Sequence, residues 1–72
     1  MTTLNETRLT TLGRKIKTAR TIAGLKQSEL AKVCDVSRSA VSQWESDVTE
    51  PAASKLFVIA RVTGQSLDWL DR

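Results

Sequence analysis

The stretch whose reading decides the fold is Gln27-Ser-Glu-Leu-Ala-Lys-Val-Cys-Asp-Val-Ser-Arg-Ser-Ala-Val-Ser-Gln-Trp-Glu-Ser46. From Gln27 to Cys34 the residues Leu30, Ala31, Val33 and Cys34 supply the apolar positions of one short helix, which stops at Asp35. Ser37 then has the side chain of an N-cap, and Arg38 to Glu45 read as a second helix with Val41 and Trp44 on one face. Arg38 and Ser42, like Ser39 and Gln43, are spaced four apart, so these four polar residues share the opposite face. Ala31 is small where two helices joined by so tight a turn must approach most closely; a bulky side chain there would force them apart.

Working outward, Leu9, Leu12, Ile16, Ala19, Ile22 and Ala23 recur at steps of three and four, with Arg14, Lys15, Lys17 and Arg20 interleaved. This is an amphipathic helix that begins between Asn5 and Thr11 and ends at Gly24, behind a flexible tail over residues 1–6. Downstream, Asp47-Val-Thr-Glu-Pro51 is turn-like, and Leu56, Ile59, Ala60 and Thr63 mark a fourth helix closed by Gly64. Ser66 caps a last short helix that carries Trp69 and Leu70. No segment alternates as a strand does, and no linker, repeat or low-complexity tract interrupts the chain. The 72 residues therefore predict a single all-α domain, a compact five-helix bundle.

Composition narrows the function. The chain has no His, no Tyr, one Cys and three Gly, which leaves no acid-base pair of the usual kind, no glycine-rich phosphate loop and no cluster of metal ligands. The sequence predicts neither an enzyme nor a cofactor. The lone Cys34 excludes an internal disulfide and, lying in an apolar series, reads as a small core hydrophobe rather than a redox sensor. No apolar run is long enough to span a membrane and no signal peptide is evident, so a cytoplasmic protein of a bacterial cell or phage-infected host is expected. Charge is unevenly spread: from Arg8 to Arg38 there are eight basic residues against Glu29 and Asp35, whereas from Glu45 onward acidic residues prevail. That asymmetry points to a face that meets a polyanion.

Two short helices joined through Cys34-Asp35-Val36-Ser37 are the outline of a helix-turn-helix, whose second helix enters the DNA major groove. Here the chain resembles a known family, the lambda-repressor-like, Cro-type helix-turn-helix regulators of phages and bacteria. The resemblance rests on Leu25-Lys-Gln-Ser-Glu-Leu-Ala31, Val36-Ser37, Ala40-Val-Ser-Gln-Trp-Glu45, Thr49-Glu-Pro51, Leu56 with Ile59-Ala60, and Ser66-Leu-Asp-Trp-Leu70, in that order and spacing over roughly residues 9–71. It implies a DNA-binding domain that docks on double-stranded operator DNA as a symmetric homodimer, and a repressor of the Cro or immunity-repressor type. A DNA-binding antitoxin or controller protein uses the same domain, and a basic-faced protein-interaction module is the alternative of a different class. The chain departs from the family at two points: Asp35 stands at a turn position usually held by Gly, and Lys26 stands where many members place a Ser or Thr N-cap.

The residues divide into roles. Gln43 can make a bidentate contact to adenine, Ser39 and Ser42 are short enough to let the helix sit deep, and Arg38 either pairs with guanine or swings to a phosphate. Lys26, Gln27 and Ser28, at the start of the second helix, fall in the phosphate-contacting class together with Lys17, Thr49 and Lys55. The start of that helix is expected to lack a side-chain acceptor for its amides, a place a phosphate can fill. The resemblance further implies an ion pair between Arg20 and Glu45 that holds the recognition helix. Val58 and Val62 add apolar surface suited to a dimer contact, and Trp69 either closes the end of the bundle or reaches a partner subunit. Apolar surface this small predicts a weak dimer completed on DNA, with half-sites about one helical turn apart.

Overall fold

A computed structural model describes residues 11–71; the expected tail over residues 1–6, and Leu9, lie outside them. Five helices and no strand are found among the described residues: α1 (Leu12–Ile22), α2 (Gln27–Cys34), α3 (Arg38–Glu45), α4 (Ala53–Thr63) and α5 (Leu67–Asp71). Each boundary has a local cause. The Thr11 hydroxyl accepts from the Arg14 amide at 3.2 Å, the Ser37 hydroxyl from the Ala40 amide at 3.1 Å, and the Ser66 hydroxyl from the Trp69 amide at 3.0 Å, so three helices start on the side chains best suited to cap them.

The helix ends share one device. Gly24, Asp35, Asp47 and Gly64, at the ends of α1, α2, α3 and α4, all have left-handed backbone with φ of 76°, 58°, 61° and 76°. After α2 the Asp35 amide donates to the Lys32 carbonyl and Val36 to Ala31, and after α3 Asp47 donates to Trp44 and Val48 to Gln43. These are Schellman closures, which satisfy carbonyls that the helix leaves open. Two of them use glycine, and the two that bracket α3 use aspartate, a residue that tolerates this region at modest cost.

Ile16, Leu30, Ala31, Cys34, Val41, Trp44, Ile59, Ala60 and Leu70 form one buried cluster to which every helix contributes. Leu12, Leu25, Val36, Leu56, Val58, Val62 and Leu67 pack around it. Burial pushes the Cys34 thiol up, with the Lys55 charge pulling the other way, so this thiol holds its proton and behaves as a core residue. Trp44 lies on the same buried side as Val41. The apolar series is corrected at three places. Ile22, Ala23 and Val33 are exposed, because α1 ends at Ile22 beyond the reach of the core and Val33 lies on the outer side of α2.

The first and last of the described helices meet through a lysine. Lys15, only 8% exposed, sends its ammonium to the Trp69 carbonyl at 3.0 Å and lies 5.7 Å from the centre of the Trp69 ring. A cation beside the last carbonyls of α5, stacked on an aromatic face, secures a helix too short to be stable alone.

Candidate nucleic-acid interface

The polar face of α3 is open. Arg38, Ser39, Ser42 and Gln43 are all exposed, while Val41 and Trp44 on the other side are buried. The structure thus places the four candidate base-reading side chains together on one outward surface, with no other described element covering it. Of the candidate phosphate contacts, Lys17, Lys26, Ser28 and Thr49 are exposed and Lys55 is half-buried. One groove between the starts of α2 and α3 is lined by Ser28, Glu29, Lys32, Val36 and Arg38; a second, between α1 and the end of α3, is lined by Arg14, Lys17, Thr18 and Glu45. Exposed cations therefore line a groove near each end of α3.

The start of α2 is less open than its sequence implies. The Glu29 carboxylate accepts from the Lys26 amide at 2.7 Å, so one of the free amides already has an acidic partner within the helix. Lys26, an all-donor side chain, accepts nothing. Gln27 is turned away from solvent: it is half-buried, and its Nε2 donates to Glu45 Oε1 at 3.0 Å.

The end of α3 is held from several directions. Arg20 Nε donates to Glu45 Oε2 at 2.6 Å and Nη2 donates to Oε1 at 3.1 Å, while Nη1 donates to the Leu25 carbonyl at 2.8 Å. The two side chains are 13% and 4% exposed, so this is a bidentate pair shielded from water. Immediately beyond, the Asp47 carboxylate accepts from the Thr11 hydroxyl at 2.6 Å and the Gly13 amide at 2.9 Å. These bonds, with Arg14 nearby, hold the Asp47 carboxyl below the usual carboxylate range.

Sequence reasoning missed Gly13 and its partner. A Cβ built there would lie 2.4 Å from the Trp44 carbonyl oxygen and 2.8 Å from that of Glu45, so α1 presses its first turn onto the end of α3 through a residue with no side chain. The signal was a glycine inside an amphipathic helix, which costs about 1 kcal/mol against alanine unless close approach requires it.

With this geometry in place, comparison with known proteins gives one answer. A family model described as Helix-turn-helix matches residues 16–70. The chain belongs to the helix-turn-helix family. Among curated helix-turn-helix relatives, the HTH-type transcriptional regulator DicA of Escherichia coli K12 is 35% identical over 65 residues, covering 90% of this chain and 48% of DicA. Repressor protein C2 of Salmonella phage P22 is 34% identical over 59 residues, 82% of this chain and 27% of C2. The chain thus spans about half of one relative and about a quarter of the other. Among solved helix-turn-helix structures, the P22 c2 repressor in complex with a synthetic operator superimposes with a TM-score of 0.78 at 33% identity, over 85% of this chain and 92% of that one. The solution structure of the P22 c2 DNA-binding domain gives the same TM-score and identity, over 80% of its length. These relatives are transcriptional regulators and not enzymes. Among the described residues no cluster of three or more His, Cys, Asp or Glu that could hold a metal is formed, and no helix is long and apolar enough to cross a membrane.

Proposed function

We propose that this chain is a sequence-specific DNA-binding transcriptional repressor of the phage or prophage type, acting as a homodimer on a pseudo-palindromic operator. The observation that carries the reading is the outward face of α3, where Arg38, Ser39, Ser42 and Gln43 stand exposed on a helix anchored by buried Val41 and Trp44. Its likeness to a repressor bound to operator DNA supports it. In this reading α3 enters the major groove, Gln43 pairs with adenine, and Lys17, Lys26, Ser28, Thr49 and Lys55 engage phosphates.

The second copy requires an apolar surface, and its centre is best assigned to Phe57. This ring on α4 is 60% exposed, whereas Val58 and Val62 are half-buried against the core and Trp69, 36% exposed, is partly engaged by Lys15. The resulting patch is small, in keeping with a dimer that DNA completes.

Binding of selected duplexes, against scrambled controls and across salt concentrations, tests the function. Gln43→Ala should cost about 1–3 kcal/mol on the selected site and relax preference at one base pair, whereas Lys26→Ala should weaken all duplexes alike and flatten the salt slope by about one unit. Equal binding to selected and scrambled DNA would instead indicate a basic protein-interaction module.

A further inference from the structure

Arg14, Lys17 and Thr18, at steps of three and four, share one exposed face of α1 and with Glu45 line the groove between α1 and the end of α3. All three α1 side chains can donate, and two carry a full positive charge. Neither Arg14 nor Lys17 makes a hydrogen bond or ion pair with another described residue. The acidic groups that could neutralise them are already engaged. Glu45, its side chain 4% exposed, accepts from Arg20 Nε on Oε2 and from Arg20 Nη2 and Gln27 Nε2 on Oε1. Asp47, whose carboxylate feels the Arg14 charge, accepts from the Thr11 hydroxyl and the Gly13 amide. Two open cations thus stand over a carboxylate whose charge Arg20 cancels, a lining that suits an anion. Glu45 follows Ser42 by three residues on α3, so this groove opens beside the polar reading face.

We infer that Arg14 is a further DNA contact: a phosphodiester of the operator backbone seats in this groove between the Arg14 guanidinium and the Lys17 ammonium, with the Thr18 hydroxyl as a neutral donor. Arginine is the stronger of the two cations here, because its planar fork meets two phosphate oxygens at once. The inference rests on the reading of α3 as the operator-reading helix, since a helix lying in the major groove, about 12 Å wide, brings what flanks it close to the phosphates. A backbone contact carries no sequence information. Arg14 therefore supplies affinity and orientation, and leaves base preference to Arg38, Ser39, Ser42 and Gln43.

The test compares the unaltered chain with Arg14→Gln, an exposed change in a helix that accepts glutamine about as readily as arginine. Arg14→Gln should weaken binding to selected and scrambled duplexes alike, about tenfold, the loss expected for one charge-assisted hydrogen bond. The salt slope should fall by about one unit for each protomer bound. A methylphosphonate scan of the selected operator, one linkage neutralised at a time, then locates the contact. One linkage in each half-site should matter to the unaltered chain and cease to matter to Arg14→Gln. If every neutralised linkage costs the variant as much as it costs the unaltered chain, or if the salt slope does not change, the contact does not exist. A loss confined to the selected duplex would place Arg14 in base reading; that result too overturns the inference. An unaltered chain with no preference for the selected operator would refute the operator reading itself, a separate outcome, because the salt slope is read on any duplex.

Discussion

The two ends of the recognition helix are built differently. Before α3, everything that places it lies within a few residues: Asp35 turns the chain with φ 58°, its neighbours close the Schellman bonds, and Ser37 caps the first amides. After α3 the backbone makes the same closure, again on a left-handed aspartate, but the parts that hold it come from far away in sequence. Glu45 is tied to Arg20, 25 residues upstream, and Asp47 to Thr11 and Gly13, 36 and 34 residues upstream. One end is a local structure and the other a tertiary one. The comparison teaches that the start of the helix is set by turn chemistry, while its direction depends on the packing of α1.

The largest expected effect breaks the tertiary end. Arg20→Met leaves Glu45 4% exposed with its chief partner gone, and should cost about 3–5 kcal/mol in urea unfolding. Adding Glu45→Met should recover most of that loss, and a double variant as unstable as the single would show that the shape of the pair matters more than its charge. Next comes Gly13→Ala, which sets a methyl against the Trp44 carbonyl and should lower stability by about 2–3 kcal/mol, although alanine is the better helix former. At the local end Ser37→Ala removes a single cap and should cost about 1 kcal/mol.

The two left-handed aspartates sharpen the contrast further. Asp35→Gly relieves backbone strain and should raise stability by about 0.5–1 kcal/mol. Asp47→Gly relieves the same strain but discards the carboxylate that binds Thr11 and Gly13, so its melting temperature should fall. The acid behaviour follows in sign. Because the folded-state pKa of Asp47 is depressed, its stabilisation is complete above the ordinary carboxylate pKa of about 4 and is lost as pH falls through the lower folded value. An Asp47→Asn variant should therefore show a flatter decline below that pH in thermal melts, and an unchanged acid limb would remove Asp47 from this role.

This difference also explains what the sequence made legible. The helices, the Ser37 and Ser66 caps, the core positions Ile16, Leu30, Val41, Trp44 and Ile59, and the polar face of α3 all follow from spacing within a single element, and the structure contains them. The resemblance supplied the Arg20–Glu45 pairing, which spacing alone does not reveal. What escaped is non-local. No periodicity tells that the Asp47 carboxylate reaches Gly13, that Gln27 turns toward Glu45, or that Phe57 and not Val58 presents the open surface of α4. Ile22 and Val33 misled for the converse reason, being apolar at helical spacing yet past the edge of what the core can cover.

The Lys15–Trp69 contact, between residues 54 apart in sequence, bears on the order in which the domain assembles. A five-residue helix has no independent stability, and closing so long a loop is entropically dear before the intervening chain is compact. Docking of α5 is therefore a late step in folding and its release an early one in unfolding. Amide protons in α5 will exchange with solvent through this partial opening well before those of α1 and α3, so that burial of Leu70 and the order of the last helix are gained and lost together.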